Sequence, residues 1–313
     1  MTSAQAARGS STPRLLQNLP RDFRAWQAPA RMPSNVGLVE LEVARRGTIS
    51  RVVHSYQQAP LQFFRPMYLD PVRPDMPFVV LLQQGGGVMQ GDLYSVEIAC
   101  QDDAAVHVTS QSATKLYKCE EHFASQVVSI RAGSGSVVEY LPDVTIPFRD
   151  ARFYHRIDVR LDPEATVIVG DVLTAGRVAY GEHHDYGIFF AQVNAYALDG
   201  RLLAVDTVKL QPALGATGAP AMLGPYAAFG TLTVFSRQVA PAALTTLLRD
   251  ALAGDAARAG TTLHGVSELP NGCGVSVRML GPTGAAVEHA RAVAWNAARV
   301  ALLGAPAPDL RKA

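Results

Sequence analysis

The chain has 313 residues, 48% of them apolar and 18% charged, a composition that excludes an intrinsically disordered protein and is ample for a sizeable core. Its longest apolar runs, such as Phe78 to Leu82, fall far short of the ~18 residues that a membrane-spanning helix needs. With 28 basic against 27 acidic residues, the net charge of +1 supplies no overall field for nucleic acid or an acidic membrane, and neither is expected as a partner.

Length allows one large β-rich domain or two ordinary ones. Cys100, Cys119 and Cys273 are an odd count without a C-x-x-C pair, which argues against a disulfide framework and a thiolate zinc site and for a reducing, cytoplasmic location. Residues 1–35 carry Arg8, Arg14, Arg21, Arg24 and Arg31 against one acid, Asp22, and no apolar stretch of secretory type. They read as a disordered tail ahead of a single β-rich domain over 36–313. An organellar transit peptide fits the Ser- and Arg-rich start less well, because no amphipathic helix accompanies it.

From Leu38 onward, short apolar alternations are broken by turn residues. Leu41, Val43 and Ile49 flank Arg45-Arg46-Gly47, which reads as strand, turn, strand. The phrase recurs. Val96-x-Ile98 leads through Gln101-Asp102-Asp103 into Ala105. Val128-x-Ile130 leads through Gly133-Ser134-Gly135 into Ser136, and Ile157-x-Val159 leads through Asp162-Pro163-Glu164 into Ala165. Each unit is expected to be a hairpin whose second strand opens on a small residue. The small residues stand 31 and 29 positions apart, a period that predicts stacked β units rather than one closed barrel. Asp199-Gly200 marks a further hairpin over Asn194 to Asp206.

Helix signals concentrate near the C-terminus. Pro241 suits a first turn, Leu244, Leu247, Leu248, Ala251 and Leu252 share one face, and Gly254 is the expected stop. A second helix is predicted from about Ala285 to Leu303, ended by Gly304 and Pro306. Between them, Leu269 to Leu280 reads as a strand interrupted at Gly272 and Gly274, and Pro212 to Pro225 as a loop.

Gly85-Gly86-Gly87-Val88-Met89-Gln90-Gly91-Asp92 follows an apolar run as a phosphate-cradling loop would, but lacks Gly-Lys-Ser/Thr and precedes an alternating stretch rather than a helix. A glycine turn between strands is the plainer reading. Thr109 to Lys118 is a polar run in strand territory, and its Ser and Lys residues lack the third partner that nucleophilic catalysis requires. Glu139 and Glu182 stand among apolar or turn-forming neighbours, with Arg177 as a candidate partner for Glu182. His183-His184-Asp185 and Cys119-x-x-His122 offer metal donors without the spacing of a closed site, so no tight metal site is expected.

In order and spacing, the glycine turn, Ser110 to Tyr117, Glu139-Tyr140-Leu141-Pro142 and Gly176 to Glu182 together resemble the UreD/UreH family of urease accessory proteins. Gly265 to Pro270, Val277 to Gly281 and a last helix with Trp295 and Arg299 extend the resemblance over roughly Gly37 to Arg311. Gln90, where a glycine is common, and Ser112, where alanine is usual, are departures.

The resemblance implies a mainly β, stacked, β-helical scaffold with two C-terminal helices, and a protein that is not an enzyme. It implies a nickel-insertion chaperone without a tightly bound cofactor. Such a chaperone carries Ni²⁺ transiently and works with apo-urease, a UreF-type helical partner and a UreG-type GTPase. On this basis Asp92, Glu139 and Glu182 are expected to line or support the metal's passage. Thr114, Lys115, Arg177, Trp295 and Arg299 are expected in scaffold or partner contacts, and the last helix with Pro306 to Ala313 at the helical partner's interface. A pure docking scaffold that never touches metal, and a β-solenoid carbohydrate-active enzyme with a carboxylate pair, are the alternatives.

Overall fold

The computed structural model describes residues 19–24, 26, 35–215, 217–220, 222–259 and 262–310. Among them the chain runs through β1 (Val36–Arg46), β2 (Ile49–Gln58), β3 (Leu61–Phe63), β4 (Phe78–Gln83), β5 (Leu93–Cys100), β6 (Ala105–Ser110), β7 (Thr114–Leu116), β8 (Ala124–Ala132) and β9 (Val137–Tyr140). It continues through β10 (Thr145–Pro147), β11 (Arg152–Leu161), β12 (Thr166–Thr174), β13 (Ile188–Ala197), β14 (Leu202–Leu210), β15 (Ala228–Phe235), β16 (Leu263–Glu268) and β17 (Gly274–Gly281). Helix α1 (Arg21–Arg24) is one turn; α2 (Pro241–Ala259) and α3 (Gly284–Leu303) flank β16 and β17 in sequence.

The strands form two sheets. One has the order β14-β13-β11-β8-β5-β1-β2; the other follows the path β16-β17-β15-β12-β9-β6-β4-β3, with β7 and β10 paired beside it. Strands β5, β8, β11 and β13 are parallel in the first sheet, and β4, β6, β9 and β12 are parallel in the second. Each turn of chain thus crosses one sheet and then the other, the solenoid that the period predicted.

Within three of the repeating units, however, the two strands are not a hairpin. β5 and β6, β8 and β9, and β11 and β12 part into opposite sheets, and each strand pairs with its counterpart in the next turn. The reason is burial. Both strands of a unit carry an apolar face, and facing them across an interior removes more surface from water than pairing them edge to edge. Antiparallel pairing is kept for the ends, at β1–β2 and β13–β14 in the first sheet and at β3–β4 and β12–β15–β17–β16 in the second.

The small-residue column is also displaced by one. Val137 pairs with both Ala105 and Thr166, so the stacked column is Ala104, Ser136 and Ala165, all with no exposure. Ala165 and Ser136 match the expected residues, and Ala104 replaces Ala105.

The main core fills the space between the sheets. A second core lies between the outer face of the second sheet and the two long helices. Leu244, Leu248 and Leu252 bury the inner face of α2, which runs past the expected stop at Gly254 to Ala259. An interior glycine costs only about 1 kcal/mol, and packing plus an Asp255–His289 contact of 3.0 Å to α3 outweigh it. Helix α3 ends at Gly304 as predicted, in the left-handed conformation, and starts at a Thr283 cap just before the predicted Ala285. The predicted strand Leu269 to Leu280 keeps only its second half, β17, because Pro270–Gly272 makes a tight turn after β16.

Leu19 and Phe23, within the expected tail, are buried against Phe123, Tyr154, Ile188 and Phe190 on the outer face of the first sheet. Most of the remaining tail lies outside the described residues. Among the described residues, no helix is long and apolar enough to cross a membrane.

Candidate functional site: a polar row inside the solenoid

Inside the solenoid, the first sheet presents its side chains in rows that run from strand to strand along the axis. Val39, Val96, Val128, Ile157 and Val193 form one row, and Leu41, Ile98, Ile130, Val159 and Ala195 the next. A neighbouring row breaks this aliphatic pattern with Tyr94, Gln126 and His155, one from each of three successive turns. Gly37 caps the row, where any Cβ would clash with Leu61 Cβ at 2.9 Å and crowd the Tyr94 ring at 3.1 Å.

Across the interior, the second sheet contributes Tyr140 and Asp171, and the two walls enclose a cavity of ≈ 110 Å³, room for several waters. Tyr140 is fully buried, and Gln126 Nε2 donates to its hydroxyl at 3.2 Å. Gln83 Nε2 donates to the Tyr94 hydroxyl at 3.0 Å. Burial pushes both phenols up, so they remain hydroxyls rather than phenolates.

His155 is 4% exposed, and its Nε2 stands 3.6 Å from Asp171 Oδ2. Neither ring nitrogen has a hydrogen-bond partner among the described residues. A buried imidazole with open nitrogens beside a carboxylate is a pair of cation donors awaiting a third group or water. Among the described residues no cluster of three His, Cys, Asp or Glu could hold a metal tightly.

The cavity opens among Gly85, Gly86 and Gly87 on one side and Ser112, Ala113, Thr114 and Lys115 on the other. This mouth brings together the glycine turn and the polar run. Thr114 and Lys115 lie on β7, tied to the turn by Val88 N–H donating to the Lys115 carbonyl at 2.8 Å. A smaller cavity shares Asp171 and Phe189 with the first and reaches Asp206, Val208 and Thr231 at the C-terminal end of the solenoid.

Asp92 sits behind the row. Its Oδ2 accepts from Met89 N–H at 2.9 Å and from the Tyr94 hydroxyl at 3.3 Å, and its Oδ1 accepts from Asn35 at 3.0 Å. Gln90, one of the departures, accepts N–H bonds from Glu120 and Glu121 through its side-chain oxygen.

Glu139 is fully buried but points away from the cavity, toward α3. Its Oε2 is 2.8 Å from His107 Nδ1 and its Oε1 3.5 Å from Arg299 Nε. Arg299 in turn donates to Asp70 Oδ2 at 2.6 Å, and Trp295 stacks beside His107 with centroids 5.3 Å apart. Trp295 and Arg299 therefore lie in the seam between α3 and the second sheet, an interior position.

Glu182 closes the loop after β12. Arg177 grips both its oxygens, with Nε to Oε2 at 2.8 Å, and this holds the carboxyl below its ordinary range. Asp92, Glu139 and Glu182 thus occupy three separate places, and only Asp92 touches the polar row. Asp171 and His155 were not singled out from sequence. The signal was present: Tyr94, Gln126 and His155 each stand two residues before the repeated Val96, Val128 and Ile157.

A family model described as UreD urease accessory protein matches residues 35–313 of the chain. The chain belongs to the UreD family of urease accessory proteins. It is 42% identical to urease accessory protein UreD 2 of Streptomyces griseus subsp. griseus over 90% of this chain and 94% of that one. It is 35% identical to urease accessory protein UreD of Haloarcula marismortui, over 91% and 93% of the two chains. The corresponding protein of Cenarchaeum symbiosum is 30% identical over 88% and 95%. A UreD-family chain is an accessory protein with a role in urease maturation rather than an enzyme.

Proposed function

We propose that this chain inserts nickel into apo-urease by conducting the ion along the row of Tyr94, Gln126 and His155, facing Asp171, while bound to a helical accessory partner and, through it, to a GTPase. The observation that supports this reading is the polar row itself, an interruption of an otherwise apolar solenoid core. A packed interior excludes polar groups unless something rewards them, and a hydrated cation passing through would.

The donor types suit the cargo. Imidazole and carboxylate both ligate Ni²⁺, and two protein donors completed by water bind more weakly than a closed set. Gln126 and the two phenols supply oxygen atoms to waters travelling with the ion. Asp171, at the junction of the two cavities, is the step between them.

The test is co-expression of apo-urease with this chain, its helical partner and its GTPase, reading nickel per urease active site. His155→Ala and Asp171→Asn are expected to lower nickel content several-fold while the complex still assembles. Full nickel content with both variants would refute conduction through this row and favour a docking scaffold.

A further inference from the structure

The line of polar side chains does not end at Asp171. On the second sheet Asp171 pairs with Thr231 of β15 and Thr231 with Arg278 of β17, so the three stand side by side on neighbouring strands. Alternation along β17 fixes which way Arg278 points. Val275, Val277 and Met279 are buried in the core under the helices, so Arg278 and Leu280 face the solenoid interior, where Leu280 packs against the main core. On β16 the next position in this row is Gly265, and no side chain follows Arg278.

From the facing wall, Asp206 on the edge strand β14 reaches the same place, and its Oδ1 accepts a hydrogen bond from Arg278 Nη2. Asp171, Thr231 and Asp206 all line the smaller cavity, which at ≈ 20 Å³ has room for about one water. The Arg278 side chain is 55% exposed, against 19% for Asp206 and 22% for Asp171. The guanidinium therefore stands on the solvent side of two carboxylates, at the end of the solenoid opposite the glycine-lined mouth.

Two carboxylates, a hydroxyl and the His155 imidazole 3.6 Å from Asp171 are all donors that a divalent cation accepts. A passage must let its cargo go, and a second carboxylate facing Asp171 would work against release. Arg278 supplies a permanent positive charge at that point, because a guanidinium does not deprotonate in a protein.

We propose that Arg278 keeps this end of the passage from retaining the ion: it occupies Asp206 and repels a divalent cation held at Asp171. It is a positioning residue that acts through Asp206 and touches no metal itself. The inference rests on the conduit reading for its purpose, which is release of the ion from the chain.

The experiment titrates the purified full chain with Ni²⁺ alone and reads Kd by calorimetry, with no urease or accessory partner present. Arg278→Gln should bind Ni²⁺ at least about tenfold more tightly than the wild type, since one opposing charge is gone from beside the ion. Asp206→Asn should shift affinity the other way, because it leaves the guanidinium without its carboxylate. A tie that merely joined the two sheets would make these two changes act alike, as each breaks the same ion pair. Arg278→Lys keeps the charge and should stay within about twofold of the wild type, and Arg278→Gln combined with Asp206→Asn should return toward it. Arg278→Gln is expected to fold, since a half-exposed ion pair adds little to stability. Arg278→Gln binding no more tightly than the wild type, or both single variants shifting in the same direction, would overturn the proposal. Failure of conduction itself would show instead as full urease nickel content with His155→Ala and Asp171→Asn, a separate measurement.

Discussion

Arg299→Ala removes a guanidinium held between Asp70 and Glu139 where all three side chains have at most 1% exposure. Asp70 also caps its own loop, its Oδ1 accepting from Val72 and Arg73 N–H at 2.9 and 3.0 Å, so it cannot swing out to solvent without unpicking that loop. Two carboxylates would then remain buried, Glu139 against His107 and Asp70 in its loop. Breaking a buried pair by deleting one partner costs about 3–5 kcal/mol. At about 2–4 °C per kcal/mol for a chain somewhat smaller than this, the melting temperature should fall by about 6–20 °C. Calorimetric or fluorescence melts of Arg299→Ala, Asp70→Asn and the double variant would measure it. The double variant should lose less than the sum of the singles, because each single change already breaks the pair. A single variant melting within about 2 °C of the wild type, or strict additivity, would refute the view that this ion pair latches α3 and the loop before β4 to the solenoid.

Three further outcomes follow from the same geometry. Arg177 holds the Glu182 carboxyl below its ordinary 4.5, so this contribution is complete above pH 4.5 and is lost as pH falls through the lowered value. Glu182→Gln should therefore show a shallower loss of stability below pH 4.5 than the wild type in acid melts. Burial pushes the Cys100 thiol up to about 12 and raises Cys119 and Cys273 as well, so at pH 8 all three should resist alkylation until denaturant opens the fold; rapid labelling of the native chain would contradict it. Gly274 has φ +145° and any Cβ would overlap the Val234 carbonyl, so Gly274→Ala should destabilise by at least about 1–3 kcal/mol in urea titrations.

Much of the scaffold was legible because a repeat writes the same phrase several times. The spacing of Ala105, Ser136 and Ala165 announced stacked turns, and the Leu and Ala faces announced both long helices. Hairpin and solenoid connections share the same strand–turn–strand text, since strands buried on an interior show the same alternation in either arrangement. Only the pairing partners, 29 to 32 residues away, separate the two. At the site, single acids in conspicuous motifs drew attention, and Glu139 and Glu182 proved to be neutralised by Arg299 and Arg177. Tyr94, Gln126 and His155 were harder to notice, since one polar residue in a strand usually faces water. Their shared offset within the repeat, rather than their chemistry, was the clue.

A row built from one residue per turn also acts as a ruler. Neighbouring strands lie about 4.8 Å apart, so Tyr94, Gln126 and His155 are steps of about that length and the whole row spans roughly 10 Å. Duplicating one thirty-residue turn would add one step without disturbing the antiparallel ends. Deleting a turn would bring the glycine-lined mouth one step nearer to Asp171. The distance an ion must travel is thus counted in whole turns of chain, and relatives with a longer or shorter solenoid would differ in that distance by integers.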